Sequence, residues 1–287
     1  FEATYLQGFG GDTSNTVIAA ARAGARCAYL TRVGDDWCGG KLLELWRNEG
    51  IDISGVHIAD DAPTGIYFVT HGAAGHEFGY QRKGSAASRM TPDWLSRSLI
   101  EQSRFLHTSG ISLAISHTAR DTALQAMQHA RNHGVQVALD SNLRLKLWTL
   151  DEARTTLVQA IGLCDLFLPS MDDVSALLGS AEPHDIIARC HALGARQVVL
   201  KLGAQGCVVS DGQGQELIAA ETVPVVDATG AGDCFAGNLL ARLCAGDSLQ
   251  QAALWANTAA ALSVQGFGAV APLPRADAVR AAFMHSA

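Results

Sequence analysis

Positive charge is scarce in this chain. Against 28 Asp and Glu stand 21 Lys and Arg in 287 residues, a formal net charge of -7. A basic field able to hold a polyphosphate backbone cannot form, which excludes nucleic acid as a partner. Long apolar runs are missing too. Nothing approaches the roughly 18 to 20 residues that span a bilayer, and no charged start, apolar stretch and small-residue cleavage site open the chain. A cytoplasmic protein with no membrane partner is expected. The opening FEATYLQGFGGDTSNT has no initiator Met and reads as mid-domain sequence, so residues upstream are expected. CxxC spacing is absent among the seven cysteines, Cys27, Cys38, Cys164, Cys190, Cys207, Cys234 and Cys244. Their odd number and mostly apolar surroundings read as buried free thiols, not as a disulfide framework or a metal site. The ten histidines show neither HExxH nor another ligand spacing, which assigns them surface or core roles.

Other site patterns also fail. Without a GxxxxGK[ST] string there is no Walker-type phosphate loop, and SGISLA lacks the second glycine of a nucleophile elbow, leaving Ser112 structural. GFGAVA (266–271) has the GxGxxA form, but Pro272 follows at once and no strand leads in, so a Rossmann dehydrogenase is disfavoured.

What is present is apolar and alternating. At 48% hydrophobic and 17% charged, residues 1–287 suit one large α/β domain. From about residue 104, β-rich runs (RFLHTSG, VQVALDSN, CDLFLPS, RQVVLKLG) alternate with helical stretches, and CVVSDGQGQELIAA reads as a hairpin. VVLKL and VALD lack polar alternation, as strands of a parallel sheet covered on both faces do. A doubly wound, mainly parallel sheet flanked by helices is expected. Residues 51–83 differ: GIYFVT and EFGYQRKG are short, alternating and separated by a turn-prone HGAAGH. They read as a small β-sheet lid, joined by residues 1–10, whose exposed edge invites a homodimer or larger homo-oligomer.

The sharpest local signal is VVDATGAGDCFAGNLLARL, in which an apolar strand ends at Val226 and a Gly-rich turn opens a helix. Gly230 and Gly232 admit backbone conformations closed to other residues, and unpaired amides at the helix start form a pocket for anionic oxygens. Asp233 stands beside that cradle. As a mere helix-start charge it would repel the anion, whereas as a general base it takes a proton from an attacking hydroxyl. Near the other end, GFGGDTSNT places Gly10 and Gly11 ahead of a helix, where backbone can approach a ligand. Asp12 and Asn15 follow there, the Asn able to donate to and accept from sugar hydroxyls. The plain alternative is a helix cap, with Asp12 or Thr13 in that role.

With DATGAGDCF the chain resembles the ribokinase-like carbohydrate kinases, whose signature reads D[TS]TGAGD followed by a small or aromatic residue; Ala228 is the one departure. The pattern continues in GFGGDTSNT and in the VGDDxxG string at Val33 to Gly39, although the family's opening strand has no counterpart here. The resemblance implies a ribokinase-like fold closing on sugar and MgATP. Asp233 is then the catalytic base, and the amides of Gly230, Ala231 and Gly232 form an anion hole for the transferring phosphoryl group. It also implies a monovalent cation such as K+ near Asp227 and Thr229. For ATP, KLGAQG resembles the family's KxGxxG turn, giving Lys201, Gly203 and Gly206; Asn142 and Asn257 complete the implied nucleotide site, the latter lining the adenine pocket. Where the family carries NxxE to organise Mg2+, this chain has Ser170 and Asp173. Carboxylates can still serve a hard cation, and no individual metal ligand is assigned.

For the acceptor, Tyr67, Tyr80 and Arg82 in the lid and Arg144 after the VQVALD strand suit a sugar acid, since a guanidinium engages a carboxylate bidentately. GFGGDTSNT, SGISLAIS, YQRKGSAAS and DSNLRLKLW are similar to strings of the 2-keto-3-deoxygluconate kinases within that family. That resemblance implies phosphorylation of 2-dehydro-3-deoxy-D-gluconate at its terminal hydroxyl. The competing readings are a neutral-sugar kinase of fructokinase or ribokinase type, and a non-catalytic sugar-binding protein.

Overall fold

The structure, a computed structural model, describes residues 5–72 and 75–286. In chain order the elements begin α1 (Asp12–Arg22), β1 (Thr31–Gly34), α2 (Trp37–Asn48), β2 (Val56–Ala59), β3 (Ile66–Gly72) and β4 (Gly75–Gln81). They continue with α3 (Arg97–Glu101), β5 (Phe105–Ser109), α4 (Gly110–Ala114), α5 (His117–Asn132), β6 (Gln136–Asp140), α6 (Leu150–Ile161), β7 (Leu166–Leu168), α7 (Met171–Leu178) and α8 (Pro183–Ala192). The chain closes with β8 (Gln197–Lys201), β9 (Cys207–Ser210), β10 (Gln215–Ile218), α9 (Ala231–Ala245), α10 (Leu249–Ser263) and α11 (Ala276–Ser286).

Six strands form the central sheet in the order β10-β9-β8-β7-β6-β5. β5 to β8 run parallel, and the hairpin β9–β10 adds two antiparallel strands beside β8. Because each parallel strand joins the next on the same side, crossovers of one hand carry their helices to one face. The apolar runs explain the burial. Val137, Leu139, Phe167, Val198 and Leu200 meet Met127, Leu157, Val174 and Ile187 of those helices. The intervening Ala138, Leu166, Leu168 and Val199 meet Phe235, Leu239, Ala252 and Ala256 of α9 and α10 on the other face. With alternate side chains buried on opposite faces, nothing polar is left to alternate. Each large side chain so buried contributes about 1.5 to 3 kcal/mol.

α1 lies on α9 with almost no space between backbones: a Cβ on Gly237 would come 2.7 Å from that of Ala19. This contact joins the N-terminal segment to the signature helix, 200 residues away in sequence.

Two small sheets stand apart. Within the 51–83 stretch expected as the lid, β2 pairs in parallel with β1, while β3 and β4 form their own hairpin. Of residues 1–10, Tyr5 packs edge-on against Phe68 with ring centroids 5.4 Å apart, and Phe1 to Thr4 lie outside the described residues. The free edges of β1 and β5 line one cavity of about 1140 Å³, which runs from Gly10 and Tyr67 down to Cys244.

Two expectations are corrected. No strand ends at Val226: residues 219–226 join no sheet, Pro224 offers no amide to a ladder, and Val225 and Val226 are 64% and 45% exposed. The Val226 and Asp227 amides instead donate to the Val264 carbonyl at 2.8 and 3.1 Å. All seven cysteines are free, yet only Cys164, Cys190, Cys207 and Cys234 are buried; Cys27 and Cys38 are partly covered and Cys244 is exposed. No helix among the described residues is long and apolar enough to cross a membrane.

Candidate active site

The parallel strands end in polar residues at one edge of the sheet. Ser109 closes β5, Asp140 closes β6, Ser170 follows β7 and Lys201 closes β8. In open α/β sheets this carboxyl edge is where ligands bind. Lys201 Nζ donates to Asp140 Oδ2 at 2.5 Å, both side chains being nearly buried. Beside them Ser109 Oγ donates to Asp12 Oδ2, so Asp12 stands in the first turn of α1 as a partner of the strand ends and does not cap the helix.

α9 opens over this floor. Its cap, Gly230, has φ 79°, a left-handed conformation, and packs so closely on Ala269 that a Cβ would lie 3.1 Å from the Ala269 carbonyl. The Ala231 amide closes that turn onto the Ala228 carbonyl at 3.2 Å, so it already has a partner among the three amides expected to form the anion hole. A Cβ built on Gly232 would fall 3.5 Å from Lys201 Nζ, which places the first turn of α9 against the lysine. Such a pairing of helix amides and an ammonium suits phosphate oxygens.

Asp233 follows, and its Oδ2 accepts a hydrogen bond from Asn15 Nδ2 at 2.7 Å. The side chain keeps a solvent-facing edge, but burial pushes its pKa up to about 8; Asn15 opposes the shift, Asp12 and Asp140 add to it, and Lys201 opposes it. A carboxyl poised near neutral pH suits proton transfer. Asn15 Oδ1 is buried without a partner among the described residues, an open acceptor beside that carboxyl.

The far wall is the β3–β4 hairpin. Tyr67 and Tyr80 face each other across it with ring centroids 6.4 Å apart, and the Gly10 backbone lies directly beneath the Tyr67 phenol. Burial raises the Tyr67 phenol to about 12, the Asp233, Asp12 and Tyr80 charges push the same way, and Arg82 pulls back. Arg82 is half-buried, lines the cavity with Tyr67, and its guanidinium makes no hydrogen bond or ion pair among the described residues. Gly10, Gly11, Asp12, Asn15, Tyr67, Tyr80, Arg82 and Asp233 are thus one neighbourhood, although they come from three distant segments.

Other residues singled out by sequence prove to be builders of the walls. Arg144 sits on the exposed loop after β6, its Nη1 donating to the Leu143 carbonyl at 2.7 Å. Asn142 takes φ 28°, and its amide donates to Asp140 Oδ1 at 3.1 Å, turning the chain sharply at the strand end. Gly203 and Gly206 shape the turn between β8 and β9. Asn257 is buried on α10 and donates to the Ile218 and Ala219 carbonyls at 2.9 and 3.4 Å, fixing the end of β10. Asp227 clasps two loops, accepting from the Thr229 amide and the Gly268 amide at 2.9 Å each. Ser170 caps α7, and Asp173 accepts from Ser141 Oγ at 2.7 Å and the Leu143 amide at 3.1 Å.

Two polar residues at this edge, Ser109 and Asp140, were not singled out from the sequence, and neither was Asp36 at the start of α2. The first two were visible as the last polar residue of the LHTS and VALD strands. Asp36, inside VGDDxxG, accepts from the Gly39 and Thr64 amides at 2.7 Å each and so ties α2 to the base of the hairpin. Burial works against its charge, yet those amides hold its carboxyl below the usual range.

The similarity to known proteins runs along nearly the whole chain. The pattern of the pfkB family carbohydrate kinases covers residues 2–276. The 2-dehydro-3-deoxygluconokinase of Thermoproteus tenax is 37% identical over 272 residues, spanning 92% of this chain and 82% of that protein. The 2-dehydro-3-deoxygluconokinase of Escherichia coli strain K12 is 34% identical over 283 residues, 93% of this chain and 91% of that one. Among solved structures, fructokinase from Vibrio cholerae O395 with fructose, ADP and calcium ion bound superposes with a TM-score of 0.86 at 28% identity, covering 95% of this chain and 90% of its own. A mixed sheet with a separate hairpin, a GAGD helix start over the strand ends and this similarity along nearly the whole chain agree: the protein belongs to the pfkB family of carbohydrate kinases.

Proposed function

We propose that this kinase transfers the γ-phosphoryl group of ATP to the terminal hydroxyl of 2-dehydro-3-deoxy-D-gluconate, with Asp233 as base. The observation that carries the choice of a sugar acid is Arg82: a half-buried guanidinium without an anionic partner among the described residues, set beside Tyr67 in the cavity. Leaving such a charge unpaired is costly, and a carboxylate would satisfy it bidentately. The names of the relatives from T. tenax and E. coli favour the same acceptor.

In this reading Asn15, Gly10, Gly11 and Asp12 hold the acceptor's hydroxyls while Tyr67, Tyr80 and Arg82 take its acid end. Arg144 joins them by exchanging its Leu143 contact for the carboxylate. Asp233 removes the hydroxyl proton as that oxygen bonds to the γ-phosphorus; the bond to the bridging β,γ oxygen breaks and ADP departs. Lys201 and the amides of Gly230, Ala231 and Gly232 balance the charge on the phosphoryl oxygens, Ala231 by releasing its turn contact. Asn142, Gly203, Gly206 and Asn257 shape the nucleotide's side.

The oxygen-rich strand ends fit a hard cation: Asp140 and Asp173 would hold Mg2+ through water, and the cation would neutralise phosphate charge. K+ would sit by Asp227 and Thr229, among backbone carbonyls of the clasped loops. The free thiols suit the reducing cytoplasm, and the hairpin edge, with Ile66 and Phe68 42% and 43% exposed, suits pairing in a homodimer or larger homo-oligomer.

ADP release measured over a panel of sugars and sugar acids tests the proposal. Turnover is expected with 2-dehydro-3-deoxy-D-gluconate, with fructose and ribose far slower; equal rates on fructose would give the neutral-sugar reading instead.

A further inference from the structure

The other end of the sheet lies away from the phosphoryl-transfer edge. Glu101 ends α3, and His129 and His133 lie one turn apart near the end of α5. The sequence reading credited the histidines with no ligand spacing, but H-x-x-x-H on a helix puts two imidazoles on one face. Folding brings the carboxylate to them. His129 Nε2 is 2.8 Å and His133 Nε2 3.7 Å from the same Glu101 oxygen, with the two rings 4.2 Å apart between centroids. One ligand atom from each residue lies within 4.8 Å of the other two.

His129 Nε2 donates to the Glu101 carboxylate at 2.8 Å, a proton that a bound cation would replace, and His133 is set differently. His133 Nδ1 lies 2.9 Å from the His129 carbonyl, which can only accept, so Nδ1 carries the proton. In the neutral ring the Nε2 lone pair then faces the Glu101 carboxylate. Two acceptors face each other, and a cation between them removes the conflict. An imidazole whose second nitrogen donates to a backbone carbonyl is also the usual state of a ligating histidine. The scaffold is firm, since Ile100 and Met127, beside these residues on α3 and α5, are 2% and 0% exposed in the core. His129 is 17% exposed, Glu101 41% and His133 45%, so an ion can enter from solvent.

We propose that Glu101, His129 and His133 bind a borderline divalent transition-metal ion of the Zn2+ class, with water in the fourth position, stapling α3 to α5. Two nitrogens and one carboxylate oxygen suit Zn2+ and not Mg2+ or Ca2+, which take oxygen alone. The site sits where β5 and β6 begin, whereas Ser109 and Asp140 are at the far ends of those strands, so the ion would not take part in phosphoryl transfer.

Titration calorimetry with Zn2+ at pH 7.5, against wild type and H129Q/H133Q, tests this. One Zn2+ is expected to bind wild type with micromolar affinity and at least about 30-fold more weakly in the double variant, with E101Q intermediate. Saturating Zn2+ should raise the wild-type Tm and leave that of the double variant unmoved, with kcat the same in both. Equal Zn2+ binding by wild type and the double variant would overturn the proposal by assigning the ion to Cys244 or the active-site acids. No binding by wild type would reduce the cluster to a protonated ion pair.

Discussion

The two sides of the cleft are built in opposite ways. On the side proposed to hold phosphate, one short stretch carries most of the candidate groups: Gly230, Gly232 and Asp233 are successive or nearly so, and the turn that presents them is enforced by the left-handed Gly230. The floor below is the rigid sheet edge, where Lys201 and Asp140 are already paired. On the side proposed to hold the sugar, the groups come from α1 and its approach, from β3 and from the end of β4; the base of the hairpin is held by Asp36, which accepts from the Thr64 amide, and its Tyr67 lies over Gly10. A phosphate is the same in every substrate of a kinase, so its receptor can be fixed and local. In the proposed reading the acceptor's identity is, by contrast, read by a separate thin element, which can vary without disturbing the phosphate receptor.

This contrast can be broken experimentally. The largest effect is expected for Asp233→Ala: kcat should fall about a thousandfold while the KM for ATP changes little, because the removed group acts only on the proton in flight. Near-normal turnover by ADP release would dismiss Asp233 as base. Arg82→Ala should act on the other side alone, raising the KM for the sugar acid about 30-fold and leaving that for ATP within about twofold. An unchanged sugar-acid KM would point to a neutral acceptor.

Gly237→Val probes the joint between the sides. A bulky side chain there must push α1 from α9, costing about 1 to 3 kcal/mol and separating Asn15 from Asp233. Both Tm and kcat should drop, and loss of Tm with full kcat would show that the joint is not needed for catalysis. Arg144→Ala should raise the sugar-acid KM less than Arg82→Ala, about fivefold, since its guanidinium has a local partner to return to.

The smallest effect is one of stability. Asp233 has its folded pKa near 8, above the ordinary 3.8, so the native state holds the proton more tightly than the unfolded chain. The wild type therefore loses stability relative to Asp233→Asn as pH climbs from about 4 to about 8, and the difference levels off beyond. With the side chain partly open to solvent, a gain of about 1 kcal/mol in the variant at pH 8 is expected, read as a Tm difference that vanishes near pH 4. A constant difference across that range would place the Asp233 pKa where an ordinary carboxyl has it.

The parallel strands were legible because both faces of β6, β7 and β8 are buried, which leaves uninterrupted apolar runs in the sequence. The segment before Asp227 was misread for the same reason in reverse: VPVV looks like such a strand, but Pro224 and the exposed Val225 and Val226 show that apolar character alone does not recruit a sheet partner. Asp233 could be picked out because its neighbours in sequence are its neighbours in space. Asp140 and Ser109 stand out in the sequence only as polar strand ends, and what they bind, like the meeting of Glu101 with His129 and His133, depends on partners tens of residues away.

By itself, then, the sequence determined the αβ alternation, the glycine-cornered helix start with its acid, and the β9–β10 hairpin turn, all consequences of local backbone sterics and of apolar period. Only the tertiary structure decided that Asn15 meets Asp233, that Lys201 is held by Asp140, that Arg144 folds back onto the Leu143 carbonyl while Arg82 has no ion-pair partner among the described residues, and which wall Asn142, Gly203, Gly206 and Asn257 support. Those are outcomes of helix and strand packing, in which a hydrogen bond of 3 Å depends on how closely whole elements approach, and no local pattern encodes that distance.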